Sequence, residues 1–295
     1  MALHWFNAEG QPDGTVLTTS NASTGSNDAV QVSNTALHAT YSIDHAAHGT
    51  KAIKSVCVTG ETGFVFQNGY SDAAGANQCQ GYFTGYPPST AEEILQIRTP
   101  TGNVAKLLVL SSGLVQIAQG NGTQVGVSTG FTVPLNTWLR FDLRAAIGTS
   151  ATTGTILGGF SPLDSTTATW SGGSTACDAG TVNLADYRAG KLTAASVPGL
   201  FYFDDFKWDN GATSFIPAAA APPLSATLTL SPTGSTPAWN VTASAAATGG
   251  TGTAKTFNFD WGDGTAATGA TSSATATHTY TTSGVKTVTV TVLNT

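Results

Sequence analysis

The chain has 295 residues, enough for two domains of ordinary size, and only 9% of them are charged, against about 25% in an average protein. With 40% hydrophobic residues and a net charge of −6 it is too apolar and too weakly charged for a disordered chain. Its 11 basic residues are scattered singly and no stretch approaches the roughly 20 apolar residues of a bilayer-spanning helix, so neither nucleic acid nor a membrane is expected among its partners.

In chain order, Met1-Ala2-Leu3-His4-Trp5 runs into Asn7, Glu9 and Gln11 with no basic head or apolar run, which predicts a protein made in the cytoplasm without an export signal. Short apolar alternations follow at 29–32, 51–58, 63–66, 94–98, 106–110, 114–118, 138–143 and 200–208, separated by Gly, Asn, Ser and Pro clusters. Their period of two predicts strands, and their number predicts an all-β sandwich or jelly roll. Only 91–95 and 184–187 suggest single helical turns. The segment Ile216-Pro217-Ala218-Ala219-Ala220-Ala221-Pro222-Pro223 cannot pair inside a sheet. It divides the chain into a domain at 1–215, a Pro/Ala linker at 216–223 and a second domain at 224–295. There Phe257-Asn258-Phe259-Asp260-Trp261 enters an Asp/Gly turn, and Val288 to Val292 alternates with Thr, so a smaller β-sandwich closes the chain.

The chemistry-bearing residues are few. Glu9, Glu61 and the adjacent Glu92-Glu93 are the only glutamates, and neighbours on a strand point to opposite faces, so no carboxylate pair for glycoside hydrolysis is nominated. No nucleophile-elbow pattern occurs, and no catalytic residue is predicted. His38, His45 and His48 have spacings that suit solvated or packing roles better than a metal. Cys57, Cys79 and Cys177 are odd in number and lack the paired spacing of a zinc site; buried free thiols are expected, with a Cys57–Cys79 bridge the alternative. Tyr70, Tyr82, Phe83, Tyr86, Trp170 and Tyr187 lie in loop-like sequence, densest at 81–88. They are the candidates for a glycan platform or, with more weight, for protein–protein contact. Asp204 and Asp205 are consecutive and should face opposite sides of a strand, and Asp260 and Asp263 should cap the turn whose Gly262 and Gly264 take positive φ.

Two resemblances refine this reading. Trp261-Gly262-Asp263-Gly264, His278-Thr279-Tyr280 and the Val/Thr strand resemble the polycystic kidney disease (PKD) domain, an immunoglobulin-like spacer or adhesion module. Phe6-Asn7-Ala8-Glu9-Gly10, His48-Gly49-Thr50-Lys51-Ala52, Asn136-Thr137-Trp138 and Phe203-Asp204-Asp205-Phe206 resemble the concanavalin A-like, laminin G-like jelly roll over about residues 3–211. The second resemblance implies no required cofactor, and a structural Ca²⁺ between Glu9 and Asp205, as in some relatives. The alternative for these carboxylates is hydrogen bonding to backbone N–H groups. Together the two domains look like a bacteriophage capsid-decoration or minor tail protein. That implies a non-enzymatic virion surface protein that docks on major capsid or tail proteins, forms a homo-oligomer such as a trimer, and adheres weakly to host surface glycans. The alternative is a secreted carbohydrate-binding module or a fragment of a polysaccharide-degrading enzyme.

Overall fold

In a computed structural model of the chain the described residues are 3–9, 11–22, 30–35, 37–56, 61–87, 91–192, 200–217, 225–233, 238–248 and 255–294. Cys57 and residues 218–223 of the expected linker lie outside them. The chain divides into two compact units, Met1–Ala218 and Ala219–Thr295.

The first unit comprises β1 (Leu3–Phe6), a single turn α1 (Thr19–Ala22), β2 (Gln31–Asn34), β3 (Ala39–Ser42), β4 (Ala52–Val56), β5 (Gly63–Asp72), β6 (Ala74–Phe83), β7 (Glu92–Arg98) and β8 (Asn103–Val109). It continues through β9 (Leu114–Gln119), β10 (Gln124–Thr132), β11 (Trp138–Ala146), β12 (Gly154–Pro162), β13 (Trp170–Cys177), β14 (Leu184–Lys191) and β15 (Leu200–Asn210). These form a jelly-roll sandwich of two antiparallel sheets. The front sheet has the order β13-β12-β11-β6-β15-β4-β3, with β1 also on β15, and the back sheet the order β10-β9-β8-β7-β14-β5-β2. The expected turns at 91–95 and 184–187 are strands instead, because β7 and β14 lie side by side in the back sheet and are buried along almost their whole length. A strand covered on both faces shows little alternation to read, as in β14, whereas the alternation expected at 94–98 is the second part of β7.

Between the sheets lie Phe6, Phe83, Phe141, Phe160, Phe201, Phe203, Phe206, Trp208 and Tyr187, all essentially inaccessible. A polar staple crosses this core: Asn77 of β6 donates through Nδ2 to the carbonyls of Gln96 and Arg188, both at 3.0 Å, tying the front sheet to β7 and β14. The side chains of β15 stay in phase with the core only through a bulge. Asp204 pairs with Gln80 but Lys207 with Gln78, one residue too many. The extra residue, Asp205, has φ +46°. Without it Phe206 and Trp208 would face outward.

Cys79 and Cys177 are buried free thiols, so Cys79 forms no bridge to Cys57. Burial pushes both thiols up, away from the reactive thiolate. Alkylation of the folded protein, read by peptide mass spectrometry, is expected to leave both unmodified until denaturant is added.

The second unit is a smaller immunoglobulin-like sandwich of β16 (Ser225–Thr233), β17 (Trp239–Thr248), β18 (Lys255–Asp260), β19 (Thr275–Tyr280) and β20 (Thr289–Asn294), with sheets β16-β17-β19 and β18-β20. The turn after β18 is built as its sequence suggests. Asp260 accepts from Gly262 N–H at 3.0 Å, and Asp263 accepts from Thr265 N–H at 3.1 Å and from Thr265 Oγ1 at 2.6 Å. Gly262 and Gly264 have φ +68° and +85°. His278 reaches Asp263 at 2.8 Å and stacks on the buried Trp261. Tyr280 donates to the Trp261 carbonyl at 2.7 Å, so the separated pieces of the motif close on one another.

Candidate functional site

The register of β11, β6 and β15 lays out the face of the front sheet that points away from the core. Side chains alternate, so Tyr82, Gln80, Gln78 and Ala76 of β6 point outward. Their partners across the sheet build four rows: Trp138–Tyr82–Tyr202, Arg140–Gln80–Asp204, Asp142–Gln78–Lys207 and Arg144–Ala76–Asp209. Lys54 extends the first row beside Tyr202, and Ser161 extends the second beside Arg140. Lys54, Arg140, Arg144 and Lys207 are four of the 11 basic residues of an acidic chain.

The first row is aromatic and opens to solvent at its edge. His45 stacks on Tyr82 with ring centroids 4.2 Å apart, Trp138 lies 5.5 Å from Tyr82 with its ring tilted, and Tyr202 meets Tyr82 edge-on at 5.9 Å. Trp138 is half-buried. Lys54 Nζ sits 5.9 Å from the Tyr202 ring centre and pairs with Asp44 at 2.6 Å, while Tyr202 Oη donates to Asp44 at 3.3 Å. The hydrogen bond from Lys54 lowers the pKa of Asp44, Asp44 in turn raises that of Lys54, and burial raises that of the Tyr202 hydroxyl.

The middle rows are polar and covered. Arg140 donates through Nε to Asp142 at 2.8 Å and through a terminal nitrogen to the Ser165 carbonyl at 2.7 Å. Gln78 Nε2 donates to Asp142 at 2.8 Å and to the Ile216 carbonyl at 3.3 Å. Burial raises Asp142 although Arg140 pulls it down.

Beside these rows a clasp holds the loops together. Asp204 accepts from the backbone N–H groups of Ala47 at 3.3 Å, His48 at 3.5 Å and Asp205 at 2.8 Å. The His48 ring bonds Asp205 through Nδ1 and Asp164 through Nε2, the latter at 2.8 Å. Its pKa rises to about 9, first through the hydrogen bond to Asp205, so the ring is the cation between two carboxylates. Burial drives Asp204 the other way, toward its neutral form, and the charge of Asp205 adds to this. The expectation that Asp204 and Asp205 face opposite sides fails because of the bulge: both reach residue 48.

Glu9 grips the same loop at its far end, accepting from Thr50 N–H and Oγ1, both at 2.8 Å, and from Lys51 N–H at 2.9 Å. Burial pushes Glu9 up, but these bonds outweigh it and hold the carboxyl below its usual value. The residues do not fit the implied Ca²⁺: Glu9 is filled by three protein donors and Asp205 by His48. Among the described residues no group of three or more His, Cys, Asp and Glu is arranged to hold a metal.

The six predicted aromatics do not form a platform. Phe83 and Tyr187 are core residues, and Tyr70 packs against that core, accepting from Trp208 Nε1 at 2.9 Å. Tyr86 is tied to the Val133 carbonyl, and the Trp170 ring lies over Gly172. Five of the six sit in strands rather than loops, where every second side chain turns inward. Tyr82 alone joins the outer face, in company the sequence reading missed: Trp138, His45, Lys54 and Tyr202. The signal was an alternation of outward polar and aromatic residues in 78–82, 138–142 and 202–204. A separate cleft of about 410 Å³ lies among the turns at 99–104, 119–121 and 178–182, but it has no aromatic side chain and one charged residue, Asp178.

Comparison with known proteins adds a family at one end and a fold at the other. Residues 220–295 match the PKD domain family. No curated protein sequence matches the chain significantly. Among solved structures the chain is similar to an alginate lyase in complex with an alginate trisaccharide, at 9% identity and TM-score 0.50, over 72% of this chain and 99% of that one. It is also similar to the marine PL-14 alginate lyase from Aplysia kurodai, at 12% identity and TM-score 0.49, over 70% of this chain and 98% of that one. A third is the ligand binding domain of botulinum neurotoxin serotype D in complex with N-acetylneuraminic acid, at 12% identity and TM-score 0.43, over 72% and 48%. At 9% identity the likeness to the trisaccharide complex concerns the fold alone, and no residue role transfers with it.

Proposed function

We propose that the chain is a non-catalytic carbohydrate-binding protein whose jelly roll receives an acidic glycan on the outer face of its front sheet, with the PKD domain as spacer or adhesion module. The observation that carries this reading is the half-buried Trp138 at one end of an aromatic row whose other end, beyond Tyr82 and Tyr202, holds Lys54. An indole offers a flat apolar surface to a sugar ring, and the Lys54 ammonium, which now pairs with Asp44, has N–H donors left for a uronate carboxylate at the other end of the row. The jelly roll solved with an alginate trisaccharide supports the choice of ligand class. Binding without turnover is favoured because Tyr202 and Lys54 are both held protonated, one by burial and the other by Asp44, so neither is set to abstract a proton.

Calorimetric titration of the full chain with alginate oligosaccharides tests this. Trp138→Ala is expected to weaken binding roughly 10-fold, from about 1.5 kcal/mol of lost stacking, with the thermal midpoint nearly unchanged. Formation of unsaturated sugar ends would overturn the non-catalytic reading, and identical affinity for parent and variant would overturn the site. The finer reading sets this adhesion on the surface of a virus particle, in a homo-oligomer docked on capsid or tail proteins, and rests on the domain pairing and the hydroxyl-rich, charge-poor composition. Quantitative mass spectrometry of sedimented particles decides it: copies in proportion to the major capsid protein support it, and absence from particles leaves the secreted carbohydrate-binding protein.

A further inference from the structure

The middle of the outer face is polar and yet closed. Gln78, Gln80, Arg140, Asp142, Ser161 and Lys207 are each more than nine-tenths buried, and Gln78 Oε1, Gln80 Oε1 and Ser161 Oγ have no hydrogen-bond partner. A face made only to be covered would be apolar, because each buried polar group left unpaired costs about 1–3 kcal/mol. Part of the cover is a strap, residues 211–217, attached by little. Gly211 donates to the Ala74 carbonyl at 2.8 Å, Ala212 and Ile216 pack on Ala76, and the Ile216 carbonyl takes one bond from Gln78. The strap therefore runs along β6 from Ala74 toward Gln78, over the third and fourth rows, and belongs to no strand. Beneath it the third and fourth rows hold Lys207 and Arg144 beside Asp142 and Asp209; Arg140, in the second row, reaches Asp142, and the buried Nε of Arg144 has no hydrogen-bond partner.

We propose that this covered floor is a second stretch of the glycan groove, for an acidic oligosaccharide too long for the aromatic row, and that residues 211–217 occupy it until such a ligand displaces them. The proposal rests on the carbohydrate-binding reading above. Outward side chains repeat every second residue, so the step from Trp138 to the Gln78 row is about 14 Å, the reach of a few sugar rings. Under the strap the unpartnered Gln78 Oε1 supplies an acceptor for a sugar hydroxyl, and Lys207 and the unpartnered Nε of Arg144 supply donors for carboxylates; Gln80 Oε1 and Ser161 Oγ add acceptors one row nearer Trp138.

Hydrogen exchange of the unaltered chain, with alginate disaccharide or hexasaccharide, reads the strap directly. The hexasaccharide is expected to speed exchange at 212–217, and the disaccharide to leave it unchanged. Ile216→Ser, which loosens the strap, is expected to tighten hexasaccharide binding about 10-fold without altering disaccharide binding. A disulfide between Ala76→Cys and Ala212→Cys should bring hexasaccharide affinity down to the disaccharide level, reversibly on reduction. Exchange at 212–217 that ignores the hexasaccharide overturns the proposal, and it decides even if Ile216→Ser does not fold. Disaccharide binding that depends on Trp138 together with an indifferent strap would leave the carbohydrate reading standing alone. No binding of either sugar would end both.

Discussion

Gly262→Ala is expected to unfold residues 219–295 while the jelly roll stays folded. Gly262 has φ +68°, where a Cβ costs about 1–2 kcal/mol. An added Cβ would also stand 2.2 Å from the Thr287 carbonyl oxygen, a backbone atom that cannot swing aside. Relieving that overlap by shifting backbone adds about 1–3 kcal/mol. A sandwich this small, with a buried core of Val241, Ala243, Phe257, Phe259, Trp261 and Tyr280, holds only about 3–5 kcal/mol in all. The Gly264 position, by contrast, has open space around an added Cβ, so Gly264→Ala should pay only the φ term. Hydrogen exchange resolved by strand checks this: protection should vanish in β17 to β20 for Gly262→Ala, persist in β6 and β11, and survive everywhere for Gly264→Ala.

The second large effect is a loss of jelly-roll stability as the pH rises from about 6.5 to about 9. The His48 pKa goes up on folding, to about 9, so its contribution is complete below the unfolded value of 6.5 and fades as pH climbs through the folded one. The shift corresponds to at most about 3 kcal/mol, with the ring a quarter exposed. Asp204 acts with the same sign: its raised pKa favours the neutral acid in the fold, so its contribution is also lost with rising pH. Urea midpoints of the full chain at about pH 6 and pH 9.5 should therefore fall with pH, and in His48→Gln the upper part of that fall should disappear. A midpoint in the parent protein that is flat over this range would show that the ring is not the cation between Asp164 and Asp205.

Strands whose two faces differ were legible in the sequence. β2, β4, β5, β8, β9, β11 and β15 alternate because one side meets the core. The turn after β18 was legible for a different reason, since Asp260, Gly262, Asp263 and Gly264 form a local arrangement whose hydrogen bonds span two residues. β6 was missed because Asn77, Gln78, Cys79 and Gln80 are all buried: the staple to β7 and β14 lies on one side and the covered polar floor on the other. No apolar pattern marks such a strand. The six aromatics misled because Gly and Pro around them read as loop, whereas glycine inside these strands makes room for a neighbour. Gly75 leaves space for the Tyr187 hydroxyl and Gly81 for the Phe141 ring. The candidate site stayed hidden because its row is assembled from β4, β6, β11 and β15 and the loop at 45, far apart in sequence and adjacent only through register.

The path by which the chain leaves the jelly roll decides how that unit meets a pulling force. Load entering from the linker arrives at Pro217, on the outer face of the front sheet. It meets the Gln78 bond to the Ile216 carbonyl first, then the packing of Ile216 and Ala212 on Ala76, then the Gly211 bond to Ala74. These yield one after another, as in unzipping. Only afterwards does tension reach β15, which is locked between β4, β6 and β1 by ladders that must break together. The strap is thus a short run of slack that lengthens under low tension, while the strands carrying Tyr202 and Asp204 stay in place.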